Sequence, residues 1–143
     1  MDRKYFDDCM CNYSDVYDGD KPLMIVSEGK STLAYETLVM MAERSNLWVE
    51  LAMLRCEDGL LHEHAFIGRR NIVPGETNPA RAGLDLVFDC KEGQISRSRL
   101  QYELGQLLGY PLDDVLDFIA SKVARECPCD CCGGPYVSEE ITG

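Results

Sequence analysis

The stretch Leu47–Gly68, LWVELAMLRCEDGLLHEHAFIG, decides the fold. Leu47 to Cys56 reads as one strand and Leu60 to Gly68 as a second. Between them stands Asp58-Gly59, a two-residue hairpin signal, because both positions of such a turn favour positive φ. In that register Leu47, Val49, Leu51 and Met53 share a face with His62, His64 and Phe66.

Upstream, Leu23-Met-Ile-Val26 follows Pro22 and predicts a short strand. Residues 27–30 turn, and Ser31 caps a helix over Thr32–Arg44, with Leu33, Thr37, Met40 and Met41 inward and Glu36 and Glu43 outward. Residues 1–20 read as irregular. Downstream, Pro74-Gly75 and Asn78-Pro79 mark 71–83 as a long loop, and Leu84–Cys90 reads as the third strand of a meander. Ser96 or Ser98 caps the next helix, and Ser98-x-x-Gln101 fits a capping box. Gly109 ends that helix, and Pro111 opens a second one with Leu112, Val115, Leu116, Ile119 and Val123 inward.

These elements predict an α+β fold: a small antiparallel β-meander packed on one side by about three helices, with a Cys-rich C-terminal knuckle. The chain reads as one domain, 1–143. It is divided into an irregular segment 1–20, a strand-helix-hairpin-strand unit 21–95, a helical hairpin 96–125 and a Cys-rich tail 126–143. Glu103-Leu104-Gly105, Leu108-Gly109-Tyr110-Pro111-Leu112-Asp113-Asp114-Val115 and Phe118-Ile119 resemble the C-terminal motif of an uncharacterised bacterial protein family. The resemblance covers residues 103–119 only and implies a packed helix-turn-helix unit, with no activity attached.

The chain has 143 residues, 45% of them apolar, enough for a core that does not depend on disulfides. Its net charge is −11, which opposes wrapping by nucleic acid and suits a basic partner. Residues 1–61 and 102–143 each carry a net −6, whereas 62–101 carry +1 and five of the arginines. No secretory leader and no membrane-length apolar run is read, so the expected location is cytoplasmic, where thiols stay reduced.

Cys127, Cys129, Cys131 and Cys132 precede Gly133-Gly134-Pro135. Cys129-x-x-Cys132 with glycines behind it has the form of a zinc knuckle. Adjacent cysteines do not comfortably share one ion, so the remaining ligands are expected from Cys9-x-Cys11 or Cys127. His62, His64 and Cys131 are the alternates. A Cys–His pair could also form from Cys56 or Cys90, although no local motif supports it. Gly29-Lys30-Ser31-Thr32 resembles the end of a phosphate-binding loop, but the glycine required five residues earlier is Met24.

Arg69, Arg70, Arg81, Arg97, Ser98 and Arg99 form the candidate anion site, with Arg97 and Arg99 at a helix start. The leading expectation is an acidic, non-catalytic binding or regulatory protein with structural zinc. It would occupy a basic surface of a protein partner, as a phage or mobile-element inhibitor would, with no direct nucleic-acid or membrane binding. Two alternatives stand beside it: a protein that binds, sequesters or hydrolyses a small anionic or phosphorylated ligand through the arginines, and a thiol redox sensor.

Overall fold

The computed structural model describes residues 3–69, 78–122 and 129–130. Its elements run α1 (Arg3–Asp18), β1 (Leu23–Ser27), α2 (Thr32–Arg44), β2 (Trp48–Arg55), β3 (Leu61–Gly68), α3 (Pro79–Lys91), α4 (Arg97–Leu107) and α5 (Leu112–Lys122). The three strands form one antiparallel sheet in the order β1-β3-β2. The fold is α+β, as the sequence predicts, but helices cover both faces of the sheet. Cys9, Tyr13 and Val16 of α1 and Tyr35 and Leu38 of α2 pack with Met24, Val26, Ala65 and Ile67. On the other face Leu23, Leu54 and Phe66 meet Ala80, Leu84 and Val87 of α3 and Leu100 and Leu104 of α4. Alternate side chains of one central strand, β3, thereby seed two cores.

The β2–β3 hairpin differs from the two-residue turn by one residue. Gly59 N–H donates to the Cys56 carbonyl at 2.9 Å, and Cys56 N–H donates to the Leu60 carbonyl at 2.9 Å. Only Gly59 has positive φ, at 81°, so the loop is Glu57-Asp58-Gly59. This three-residue form is a turn followed by a left-handed glycine. Met53 therefore pairs with Glu63, and Leu51 with Ala65. A one-residue slip moves every side chain to the opposite face. Val49, Leu51 and Met53 accordingly lie with Ala65 and Ile67, while His62, His64 and Phe66 face the α3 side.

Residues 84–90 are helical, not a strand. Asn78 Oδ1 accepts from the N–H groups of Ala80 and Arg81 at 2.9 and 3.2 Å, and Pro79 occupies the first turn. The Asn-Pro pair that suggests a turn thus starts a helix. Ala80, Gly83, Leu84 and Val87 are its buried positions, at helical spacing. Residues 3–18, expected to be irregular, also form a helix. Cys9, Tyr13 and Val16 recur at four and three residues and face the core, and acids occupy the other face.

Ser31 caps α2 as expected, accepting from Ala34 N–H at 3.1 Å. The buried stripe is Ala34, Tyr35, Leu38 and Ala42, so the helix is rotated from the expected face, and Leu33 and Met40 are 52% and 46% exposed. Ser96, not Ser98, caps α4, with Arg99 N–H donating to its hydroxyl at 3.1 Å. Gly109 follows with φ 82°, as its helix-ending role requires. On α5 Val115 is buried, but Leu112 and Leu116 are about half exposed, at 50% and 48%. No helix among the described residues is long and apolar enough to cross a membrane.

Candidate functional site

At the hairpin end of the sheet the fold gathers thiols and an imidazole. Ser27, the last residue of β1, stands opposite His64 on β3. Cys56, the first residue after β2, turns to the same face as Leu54. The Ser27 Oγ and Cys56 Sγ are 3.1 Å apart, and Cys56 Sγ lies 3.6 Å from His64 Nε2. His64 Nδ1 is 2.9 Å from the His62 carbonyl. That carbonyl can only accept, so Nδ1 carries a proton, and Nε2 is the ring atom turned to the Cys56 sulfur. Ser27, Cys56 and His64 are all buried.

Burial is the main cause that pushes the Cys56 thiol up, Ser27 opposes it, and the nearby Cys129 raises it further. Cys129, half-buried, thus lies near enough to bear on the Cys56 thiol. It is held there by its neighbour Asp130, whose carboxylate accepts from Arg55 N–H at 2.7 Å and from Lys91 Nζ at 3.2 Å. Cys9 approaches through Tyr5. Burial raises both groups, each couples to the other, and Tyr5 also reaches the Ser27 backbone and senses Cys56.

Cys9 and Cys11 do not converge. Two residues on a helix point in nearly opposite directions, and Cys9 is 5% exposed in the core whereas Cys11 lies in solvent. His62 and His64 share a strand face but serve different partners. His62 Nδ1 and Nε2 lie 3.2 Å from Glu28 Oε1 and 2.9 Å from Asp58 Oδ2. The hydrogen bond to Asp58, then that to Glu28, raises the imidazole pKa above its ordinary value. Cys127, Cys131, Cys132 and Arg70 lie outside the described residues.

Of the predicted arginines, Arg81 on α3 pairs with Asp85 at 2.8 Å and Glu50 at 3.3 Å. Arg99 on α4 pairs with Glu103 at 2.7 Å, Ser98 follows Arg97 in the first turn, and Arg97 is buried. Arg69 directly follows β3, where its N–H bonds the Pro22 carbonyl at 2.9 Å. Lys30, of the phosphate-loop resemblance, faces Glu57 at 3.6 Å.

Cys56 is the residue that ligand-spacing arguments pass over, since it stands alone in sequence. Its signal is positional: it lies where β2 ends, eight residues from a histidine across a hairpin. The group can do two kinds of chemistry. Attack needs an exposed thiolate, and the Cys56 thiol is both 7% exposed and held up. Ligation needs convergent soft donors. Sulfur at about 2.3 Å and nitrogen at about 2.0–2.1 Å from one tetrahedral zinc stand about 3.6 Å apart, the same as the Cys56–His64 separation of 3.6 Å. Among the described residues, however, no group of three His, Cys, Asp or Glu is arranged to hold a metal ion.

Comparison with protein-family models, with curated proteins and with solved structures finds no match to this chain.

Proposed function

We propose that the protein is a non-catalytic, acidic binding protein that occupies a basic surface of a protein partner, as a regulator or inhibitor does, and carries a structural zinc ion at its thiol-rich end. The observation that carries this reading is the engagement of the cations. Arg81, Arg99, Lys30 and Lys91 each face a carboxylate of the chain itself. With these cations engaged, the net −11 leaves carboxylates in excess, which attract basic surfaces and repel phosphate. The same pairing supports a protein partner over a small anionic ligand.

The zinc part is supported by the chemistry of the donors. Cys56 and His64 stand 3.6 Å apart at one end of the sheet, a span that a zinc ion in place of the thiol proton would suit, and Cys129 is near enough to bear on the Cys56 thiol. Cys127, Cys131 and Cys132, within three residues of Cys129 in sequence, are the further donors that a four-ligand site would draw on.

Elemental analysis of protein purified without chelator tests the zinc. The expected result is one zinc per chain with about four thiols protected until unfolding. Cys56→Ser and Cys129→Ser should each release it. Absence of metal, with all eight thiols reactive, would remove this part. Cross-linking in the native cell tests the partner: the cross-linked surface should be rich in Lys and Arg, and binding should fall steeply with salt. A neutral or acidic contact surface would sink the reading.

A further inference from the structure

β2 is an outer strand, and no strand among the described residues lies on its far side. The antiparallel ladder determines which backbone groups face that way. Cys56 N–H points inward to the Leu60 carbonyl, so Leu54, Ala52 and Glu50 also turn inward. Arg55, Met53, Leu51 and Val49 turn outward. Arg55 N–H agrees, since it leaves the sheet to meet Asp130 Oδ2 at 2.7 Å. Asp130 closes this end of the edge. Val49, Leu51 and Met53 present donors and acceptors that meet no backbone partner among the described residues.

The same three residues carry an apolar strip on the α2 side of the sheet. Leu51 and Met53 are 51% and 54% exposed, and Met40 of α2 stands beside them at 46%. Two open concavities of about 360 and 760 Å³ flank the strand and share Glu43 and Leu51. Their charged walls are Glu36, Glu43, Glu50 and Glu63 with Arg44, and Arg81 pairs with Glu50 from outside at 3.3 Å.

We propose that the outer edge of β2 accepts an extended, basic segment of a protein partner as a fourth strand. The proposal rests on the binding-protein reading above and names where, and in what conformation, the partner engages. An extended backbone satisfies the outward groups; its side chains on the α2 side meet both the apolar strip and Glu36, Glu43 and Glu63, and the alternate ones meet Glu50 on the other face. Charge selects among occupants. A second copy would set the same four carboxylates against one another. The chain's own residues 131–143 contain Glu139 and Glu140 and no base. A basic partner segment has the opposite sign.

The probe is an acetylated eight-residue peptide of alternating Lys and Val, with an analogue N-methylated at every second residue. Binding is read by anisotropy and by amide hydrogen exchange. The peptide should protect the amides of Val49, Leu51 and Met53. Leu51→Pro removes one outward N–H while leaving the β2–β3 ladder intact, a change that edges tolerate. It should weaken binding about tenfold or more, whereas Leu51→Thr, which keeps the N–H, should stay within about threefold. Equal binding to Leu51→Pro, protection elsewhere, or no binding at all would overturn the proposal. Should Leu51→Pro fail to fold, the N-methylated peptide against the unaltered protein decides, since equal affinity for both peptides excludes strand addition. A native partner that contacts through a basic surface yet binds Leu51→Pro normally would remove the edge and leave the wider reading standing.

Discussion

Asp130→Ala should detach the thiol-rich end from the sheet. Asp130 is buried, and its carboxylate accepts two bonds, from Arg55 N–H at 2.7 Å and from Lys91 Nζ at 3.2 Å. Hydrogen bonds to a charged group are worth about 1.5–3 kcal/mol when shielded. Neither partner is fully shielded: Arg55 is exposed, so its N–H can return to water, and the Lys91 side chain is 38% exposed. The lysine pair then counts for under about 1 kcal/mol. Together the loss comes to about 1–2 kcal/mol, or about 3–8 °C in Tm for a chain of this length. A thermal melt followed by circular dichroism measures it. Asp130→Asn keeps an acceptor for Arg55 and should recover more than half. The variant should also raise the rate at which Cys56 and Cys129 react with a disulfide reagent, because Cys129 is Asp130's neighbour and couples to Cys56. A Tm within about 1 °C of the parent, together with unchanged labelling of both cysteines, would refute the reasoning.

Three further outcomes follow from the fold. A Cβ on Gly83 would stand 2.6 Å from Leu23 Cδ2 and 3.3 Å from Phe66 Cδ2; Gly83→Ala should cost about 1–3 kcal/mol in urea unfolding, and a gain instead would mean that α3 does not lie so close to the sheet. Gly59 has φ 81° with open space around it, so Gly59→Ala should cost about 1–2 kcal/mol and Gly59→Asn less; equal tolerance would refute the left-handed turn. His62 should titrate above its ordinary 6.5, and Asp58→Asn should bring the midpoint down, as followed by NMR. Its stabilising effect is complete below that ordinary value and is lost as pH rises through the raised one, while that of Asp58, whose carboxyl is lowered mainly by the Leu60 N–H, is lost as pH falls through its lowered value. The Tm difference between His62→Gln and the parent should thus shrink as pH rises through the raised His62 value, and a constant difference would exclude the linkage.

Local chemistry made much of the fold legible. Ser31 caps α2, Gly109 ends α4, and the apolar runs around Met24, Leu51 and Phe66 become strands. Errors arose where two periods fit one segment. Leu84-Asp-Leu-Val-Phe-Asp-Cys90 alternates well enough for a strand, and its helical reading depends on Ala80 and Gly83, small residues whose burial only tertiary packing reveals. α1 hid its core stripe because Cys9, Tyr13 and Val16 are diluted by acids. Asp58-Gly59 alone implies a two-residue turn, but Glu57 belongs to the loop, and that single residue places both histidines on the α3 face. Of the expected metal ligands, His64 stands 3.6 Å from Cys56, Cys129 is near enough to bear on that thiol, and Cys11 stands apart in solvent. The Cys56–His64 contact crosses the hairpin, which spacing along the chain does not display.

The β2 edge, unpaired among the described residues, and the Cys56–His64 contact are two results of the same register. With Cys56 turned inward to Leu60, its side chain falls beside His64, and the residue before it, Arg55, must direct its N–H out of the sheet. Asp130 takes that N–H and so brings Cys129 to Cys56. Past Arg55, the next outward groups are those of Met53 and Leu51, which Asp130 does not reach. The Arg55–Asp130 bond therefore also sets where the unpaired edge begins among the described residues. Zinc at the thiols would leave binding at Leu51 unaltered in site but more sharply bounded at Arg55. Removing zinc with a chelator should accordingly extend exchange of the Arg55 amide while leaving Leu51 exchange unchanged. If chelation altered both equally, the edge and the thiol end would be one cooperative unit, and the division of the surface at Asp130 would be wrong.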